Sequence, residues 1–107
     1  MAIEVNSDTF ENEVVLANIP VIVDFWGPQC APCLALMPKV EELSKKYGEK
    51  VKISKVDSSK NRRLCLNLKV LGLPTFLVYK DGKEVERLSG NNLKIEDIEA
   101  AINRVIA

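Results

Sequence analysis

The chain lacks histidine, an excess of charge of either sign and any long apolar run. Its 107 residues include 15 Lys and Arg against 15 Asp and Glu, so the formal net charge is zero. The absence of His removes the side chain that most often acts as a general base or a metal ligand. The balanced charge argues against a dedicated nucleic-acid surface and against a polybasic membrane surface. No apolar run approaches the roughly 20 residues of a membrane span.

The N-terminus also lacks a recognisable export signal. Residues Met1 to Asn6 do not combine a cationic start with an apolar stretch, so we expect a cytoplasmic protein. In that reducing compartment, closely spaced cysteines are more often catalytic or metal-binding than structural. The length is that of one ordinary domain. We therefore expect residues 1–107 to form a single domain, and a compact neutral domain of this size to be a monomer.

Apolar periodicity and turn residues predict an α/β fold. Strands are expected at Ile3–Val5, Val21–Trp26, Val51–Asp57, Thr75–Lys80 and Glu84–Leu88. Helices are expected at Asp8–Ala17, Ala31–Tyr47 and Asn61–Leu68, with a closing helix through Ile95, Ile98, Ile102 and Val105. Ser7 and Asp8 are candidate N-caps for the first helix, and Asp8 with Glu11 has the spacing of a capping box. Asp81-Gly82 predicts a hairpin turn. This order of elements implies a mixed sheet between helical layers.

Two of the three cysteines, Cys30 and Cys33, lie three residues apart where a buried strand gives way to a helix. Residues at this helical spacing share one face and are close enough for a disulfide. Cys30 is expected at the helix N-cap, where the helix dipole and free N–H groups stabilise a thiolate. Because Pro32 has no N–H, the Cys33 amide is the expected donor. The sequence thus predicts thiol–disulfide chemistry, with Cys30 as the attacking nucleophile and Cys33 as the resolving thiol.

Asp24 interrupts the otherwise apolar strand that leads to Cys30. Burial raises the pKa of a carboxyl group, so Asp24 is a candidate to take the proton of Cys33, directly or through water. The alternative is a polar residue whose oxygens are satisfied by neighbouring backbone. The third cysteine, Cys65, lies among leucines and is expected in the core as a small apolar residue.

This combination of motifs resembles the thioredoxin family along nearly the whole chain. The matching motifs are Val23-Asp24-Phe25-Trp26, Cys30-x-Pro-Cys33, Pro38, Lys55-Val56-Asp57, Gly72-Leu73-Pro74-Thr75, Lys80-Asp81-Gly82 and Gly90. Their order and spacing are far more specific than a lone Cys-x-x-Cys. The resemblance implies the thioredoxin fold, in which a mixed central sheet of four to five strands is flanked by helices on both faces.

The resemblance also implies a protein-disulfide oxidoreductase that carries electrons. It would reduce protein disulfides through a mixed disulfide, hold no bound cofactor and receive electrons from a thioredoxin reductase. Lys55 would lie near Asp24, and Leu73-Pro74 would be a cis peptide facing the cysteines, with its backbone pairing with the substrate chain. The substrate-binding surface would comprise Trp26, Gln29, Ala31, Pro32, Leu73, Pro74 and Gly90, with Gly72 at its border.

Three positions depart from the family pattern. Gln29 stands where thioredoxins usually have Trp, Ala31 replaces the usual Gly, and Leu34 replaces a common Lys. The helix-cap chemistry survives these changes, but the rim around the cysteines loses an aromatic ring and a cation. We therefore expect a shifted redox potential and a restricted set of partners.

Three other functions stay open on the sequence alone. A metal-binding module would use the zinc-type spacing of Cys30 and Cys33, but a structural zinc site usually needs four ligands and only Cys65 remains. A redox-inert scaffold would hold partners at its rim. Gln29 favours this function, whereas the intact cysteine pair, Asp24 and Leu73-Pro74 oppose it, because a pure scaffold needs none of the three. A disulfide oxidant or isomerase would require a less reducing potential.

Overall fold

The chain folds around one five-stranded sheet, and a computed structural model describes all of residues 1–107. The strands are β1 (Ile3–Glu4), β2 (Val21–Trp26), β3 (Lys52–Asp57), β4 (Thr75–Lys80) and β5 (Lys83–Ser89). They lie in the order β1-β3-β2-β4-β5. β1, β3 and β2 run parallel, whereas β4 is antiparallel to β2 and to β5. The expected mixed sheet is confirmed.

Three α-helices accompany the sheet. They are α1 (Ala31–Tyr47), α2 (Arg62–Asn67) and α3 (Ile95–Ile106). α1 ends at Gly48, whose φ of 55° is readily adopted only by glycine. The hydroxyl of Tyr47 donates to Glu99 Oε2 at 2.6 Å and so joins α1 to α3. None of the helices is long and apolar enough to cross a membrane.

The sheet separates two apolar clusters, and helices flank both of its faces as expected. On one face, α1 and α3 cover Ile22 and Phe76. On the other face, the N-terminal segment and α2 cover Val23 and Phe25. Because side chains alternate along a strand, Asp24 stands on the same face as Ile22. The sheet therefore carries this carboxylate on the side covered by α1 and α3.

The helix expected at Asp8–Ala17 is wrong in length and in its capping. Only Glu11–Val15 forms a short π-helical segment, and Asp8 does not form a capping box with Glu11. The side chain of Asn6 instead caps the turn at residues 7–9 that leads into this segment, because its Oδ1 accepts hydrogen bonds from the amides of Asp8 at 2.8 Å and Thr9 at 3.1 Å. The Asn6 amide donates in return to Thr9 Oγ1 at 3.0 Å. The reciprocal cap thus lies two residues earlier than predicted.

The turn between β4 and β5 forms as expected. Asp81 and Gly82 both have positive φ, 53° and 79°. This is the backbone of the two-residue hairpin turn for which Asp-Gly is strongly preferred. The hairpin adds β5 at the edge of the sheet opposite β1.

Candidate active site

Cys30 and Cys33 form a disulfide at the N-terminus of α1, with their Cα atoms 5.2 Å apart. Cys30 is the N-cap residue of the helix, and the Cys33 amide donates to Cys30 Sγ at 3.3 Å. Cys33 is only 2 % exposed, whereas Cys30 is half-buried. The sulfur that accepts the amide hydrogen bond is therefore also the more accessible one.

The segment between β2 and α1 positions this disulfide. The Cys30 amide donates to the Gly27 carbonyl at 3.1 Å, which turns the chain from the end of the strand into the helix. Pro32 lies in the first turn of α1. The first amides of a helix have no partner within it, so the missing N–H of Pro32 costs α1 no hydrogen bond. Its ring instead favours the helical backbone at the point where the cysteines must be held.

Asp24 is a buried carboxyl group on β2, only 2 % exposed. No side chain or amide of the protein donates a hydrogen bond to it, so the alternative of backbone satisfaction does not hold. Burial raises the pKa of Asp24 to about 7; the positive charge of Lys55 acts to lower this pKa, and the negative charge of Glu4 acts to raise it. Asp24 can therefore hold or release a proton near neutral pH, which suits proton transfer.

The sheet register explains why Lys55 and Glu4 act on Asp24. Lys55 of β3 lies directly opposite Asp24 of β2, and Glu4 of β1 lies directly opposite Lys55. The resemblance to a family implied Lys55, but Glu4 was not among the predicted site residues. In the sequence, Glu4 is a single acidic residue between Ile3 and Val5. This pattern is typical of any strand with alternating side chains, so the strand register is needed to align Glu4 with Asp24.

A second loop carries the Leu73-Pro74 peptide, which is cis as the resemblance implied. Neither the amide nor the carbonyl of Leu73 has a hydrogen-bond partner within the protein. By contrast, the Pro74 carbonyl accepts from the Gly90 amide at 3.2 Å, and the Gly72 carbonyl accepts from Thr75 Oγ1 at 2.6 Å. The loop is thus pinned on both sides of Leu73, while Leu73 keeps free backbone groups.

Leu73 also touches the segment that precedes the disulfide. Gly27 is buried, and a Cβ atom at this position would lie 3.2 Å from Leu73 Cδ1. The structure therefore brings together the cysteine loop and the Leu73-Pro74 loop. Sequence reasoning missed Gly27, because its only signal was a glycine directly before Pro28.

Trp26 lies on the other side of the site, at the end of β2 and opposite Asp57. Its side chain is half-buried, and its indole N–H has no partner. With Glu4, Asp57 and Asn61 it borders an open cavity of about 720 Å³ between the N-terminal segment and the start of α2. Leu73 and Pro74 do not line this cavity.

The remaining cysteine belongs to the core. Cys65 is a free thiol, 7 % exposed, in the cluster that α2 covers, which confirms its expected burial. Nowhere does the structure bring together three or more His, Cys, Asp or Glu side chains in a group that could hold a metal ion.

Comparison with known proteins agrees with this geometry. A family model described as Thioredoxin matches residues 1–104. The chain belongs to the thioredoxin family. It is 45% identical over 103 residues to a thioredoxin of Acetoanaerobium sticklandii, covering 96% of this chain and 98% of that protein. It is 43% identical over 102 residues to a thioredoxin of Peptoclostridium acidaminophilum, covering 95% and 93%.

A chloroplast protein is also among the relatives. Thioredoxin X, chloroplastic, of Arabidopsis thaliana is 42% identical over 82 residues, which are 77% of this chain and 45% of that protein. Family membership and the proximal cysteine pair together make the chain a protein-disulfide oxidoreductase of the thioredoxin fold. Within that fold, the positions that depart from the family pattern, Gln29, Ala31 and Leu34, are all exposed around the disulfide.

Proposed function

We propose that this chain works in the reducing direction, as a monomeric single-domain thioredoxin that carries electrons to protein disulfides in the cytoplasm. A thioredoxin reductase would recharge it, with no cofactor bound to the chain and with neither nucleic acid nor a membrane as partner. The observation that carries the exchange chemistry of this proposal is the N-cap contact between the Cys33 amide and Cys30 Sγ. It supports a thiolate on the accessible sulfur of the reduced pair.

The proposed reaction has two exchange steps. The Cys30 thiolate attacks one sulfur of the substrate disulfide; a mixed disulfide forms and the other substrate sulfur leaves as a thiolate. Cys33 then loses its proton and attacks Cys30 Sγ, which releases the second substrate thiolate. Two electrons have passed to the substrate, and the Cys30–Cys33 disulfide is the oxidised product.

Asp24 is proposed to accept the proton of Cys33 in the second step. Its pKa of about 7 leaves the carboxylate partly ionised at neutral pH, so it can receive a proton and later return it to solvent. Lys55, directly opposite in the sheet, would favour the ionised form of Asp24. Because Cys33 is buried, a water molecule is the proposed relay where the two groups do not meet directly.

The substrate chain is proposed to lie along the Leu73-Pro74 loop. The free amide and carbonyl of Leu73 support this, because a peptide backbone placed alongside can use both. The surrounding rim would consist of Trp26, Gln29, Ala31, Pro32, Pro74 and Gly90. Trp26 lies at the end of β2, opposite Asp57 of β3. It would therefore border the binding surface and would not touch the Leu73 loop.

A trapping experiment tests the two cysteine roles. Cys33→Ser should accumulate a stable mixed disulfide between Cys30 and a disulfide-bonded peptide, seen as a mass increase of one peptide. Cys30→Ser should accumulate none. Equal trapping by both variants would contradict the assignment.

The reduction potential tests the direction of electron flow. We would measure it by alkylation and mass shift of the Cys30–Cys33 pair across a series of thiol–disulfide buffers. A potential at or below the cytosolic glutathione poise supports the reductant. A clearly higher value would favour a disulfide oxidant or isomerase, and a pair that does not cycle would favour a redox-inert scaffold.

A further inference from the structure

Three charged residues stand in one row across three parallel strands. Glu4 of β1 pairs with Lys55 of β3, and Lys55 pairs with Asp24 of β2. Directly paired residues of neighbouring strands point to the same face of a sheet. Since adjacent strands lie about 4.8 Å apart, the two carboxylate-bearing positions are about 10 Å apart, with the lysine between them.

Apart from this row, the elements packed around Asp24 contribute mainly apolar side chains. On its other side, β4 contributes Phe76, which is fully buried. From α1 the buried Leu36 packs on the same face, and α3 contributes apolar side chains to it.

Two further carboxylates near this face are engaged elsewhere. Glu41 of α1 accepts a hydrogen bond from the Ala2 amide at 3.1 Å. Asp57, two residues beyond Lys55 on β3, accepts from the Ser59 amide at 3.0 Å. Neither is committed to Lys55 or to Asp24, so Glu4 is the acidic residue aligned with them.

The Lys55 ammonium group forms no ion pair with either of its neighbours in the row, Glu4 and Asp24. None of the ion pairs in the structure involves it, and its side chain is half-exposed. Glu4 is exposed at the edge of the sheet, whereas Asp24 is buried. A flexible lysine between two carboxylates is attracted to both of them, and each conformation that brings its ammonium group nearer to Glu4 takes it farther from Asp24.

We propose that Glu4 is a positioning residue that acts on Asp24 across the row of three strands, by repelling its negative charge and by drawing the Lys55 ammonium group towards the edge of the sheet. This inference deepens the proposed function and rests on it for its meaning in the reaction. Glu4 itself touches neither the cysteines nor the substrate. The edge strand β1 would thus adjust the proton acceptor of the second exchange step from two strands away.

The test is a titration of the Asp24 carboxyl by ¹³C NMR in the oxidised protein, where Cys30 and Cys33 do not titrate. Glu4→Gln should move the Asp24 midpoint to lower pH by roughly 0.3–1 unit, the range expected for a charge about 10 Å away at a partly solvated site. Lys55→Gln should move it to higher pH. Glu49→Gln, which removes an exposed carboxylate at the end of α1, is the matched control and should leave it unchanged.

One further variant and one further condition sharpen the result. Glu4→Asp keeps the charge and should restore most of the wild-type midpoint. At 1 M salt the shift caused by Glu4→Gln should largely disappear, because an exposed charge is screened at a Debye length of about 3 Å. An Asp24 midpoint that is the same in wild type and Glu4→Gln at low salt would overturn the inference.

The pH dependence of the second exchange step separates this inference from the role proposed for Asp24. If the NMR midpoint and the pH–rate profile both move to lower pH in Glu4→Gln, both ideas are supported. If the midpoint moves and the rate profile does not, Glu4 acts on Asp24 as inferred, and the assignment of Asp24 as proton acceptor fails instead.

Discussion

Gly27 and Leu73 lie so close together that a side chain at position 27 would have to displace the end of the Leu73 side chain. A Cβ atom at Gly27 would lie 3.2 Å from Leu73 Cδ1, tighter than ordinary van der Waals contact. Gly27 belongs to the segment that leads into the redox disulfide, and Leu73 belongs to the loop with free backbone groups. The contact joins the segment before the proposed nucleophile to the loop that is proposed to bind the substrate chain.

Gly27→Ala should therefore reduce activity more than stability. The new methyl group must push Leu73 aside by a few tenths of an ångström, which misplaces the substrate backbone relative to Cys30. Because small misplacements at a reacting centre lower rates markedly, we expect kcat/KM for a disulfide peptide to fall by about three- to tenfold.

The matched control for this substitution is Gly72→Ala. A Cβ atom at Gly72 would meet no atom within 4 Å, and its φ is not in the positive range. Comparable losses of kcat/KM in both variants would show that the Gly27–Leu73 contact does not govern substrate placement.

Asp24→Asn should stabilise the oxidised protein at neutral and alkaline pH. Burial raises the pKa of Asp24 from 3.8 to about 7, so between these values the folded protein holds a proton that the unfolded chain has lost. The wild type therefore loses stability as pH rises through this window, on the order of 4 kcal/mol in total. The isosteric amide has no such dependence.

Urea unfolding of the oxidised wild type and Asp24→Asn at pH 4, 6 and 8 checks this. The difference in unfolding free energy between the two proteins should grow in favour of the variant from pH 4 to pH 8 and then level off. A difference that is constant with pH would show that the pKa of Asp24 is not raised in the folded state.

Gln29→Trp should change how the protein handles a generic disulfide substrate. Gln29 is exposed immediately before Cys30, so an indole there would add an apolar contact for the approaching chain. An aromatic contact worth about 1 kcal/mol corresponds to a several-fold gain in kcat/KM. Gln29→Ala controls for the loss of the amide, and unchanged rates together with an unchanged potential would show that this rim position does not set partner range.

Cys65 should resist alkylation in the folded protein. It is 7 % exposed and packed in the apolar cluster covered by α2, so a reagent reaches it only when the structure opens. In the reduced protein, iodoacetamide should modify Cys30 at least about a hundredfold faster than Cys65. Rapid modification of Cys65 under native conditions would instead point to a regulatory thiol.

The best-predicted elements are those with a local signal at both ends. The β2 run is uniformly apolar except for Asp24, and α1 begins at Cys30 and ends at Gly48, so both were placed from sequence. The N-terminal helix failed because several residues could have capped it and Asn6 did so. The influence of Glu4 on Asp24 could not be read from the chain, since it depends on the register of three strands far apart in sequence.

One atom both caps the 17-residue helix α1 and undergoes the redox chemistry, because Cys30 Sγ accepts the Cys33 amide. Folding and electron transfer therefore share a thermodynamic cycle. Any substitution that stabilises the reduced protein more than the oxidised protein must raise the reduction potential by the same free energy, about 30 mV for each 1.4 kcal/mol. The free energies of unfolding of the oxidised and the reduced protein, measured in parallel, would thus rank variants of the first turn of α1 by their strength as electron donors, without any substrate.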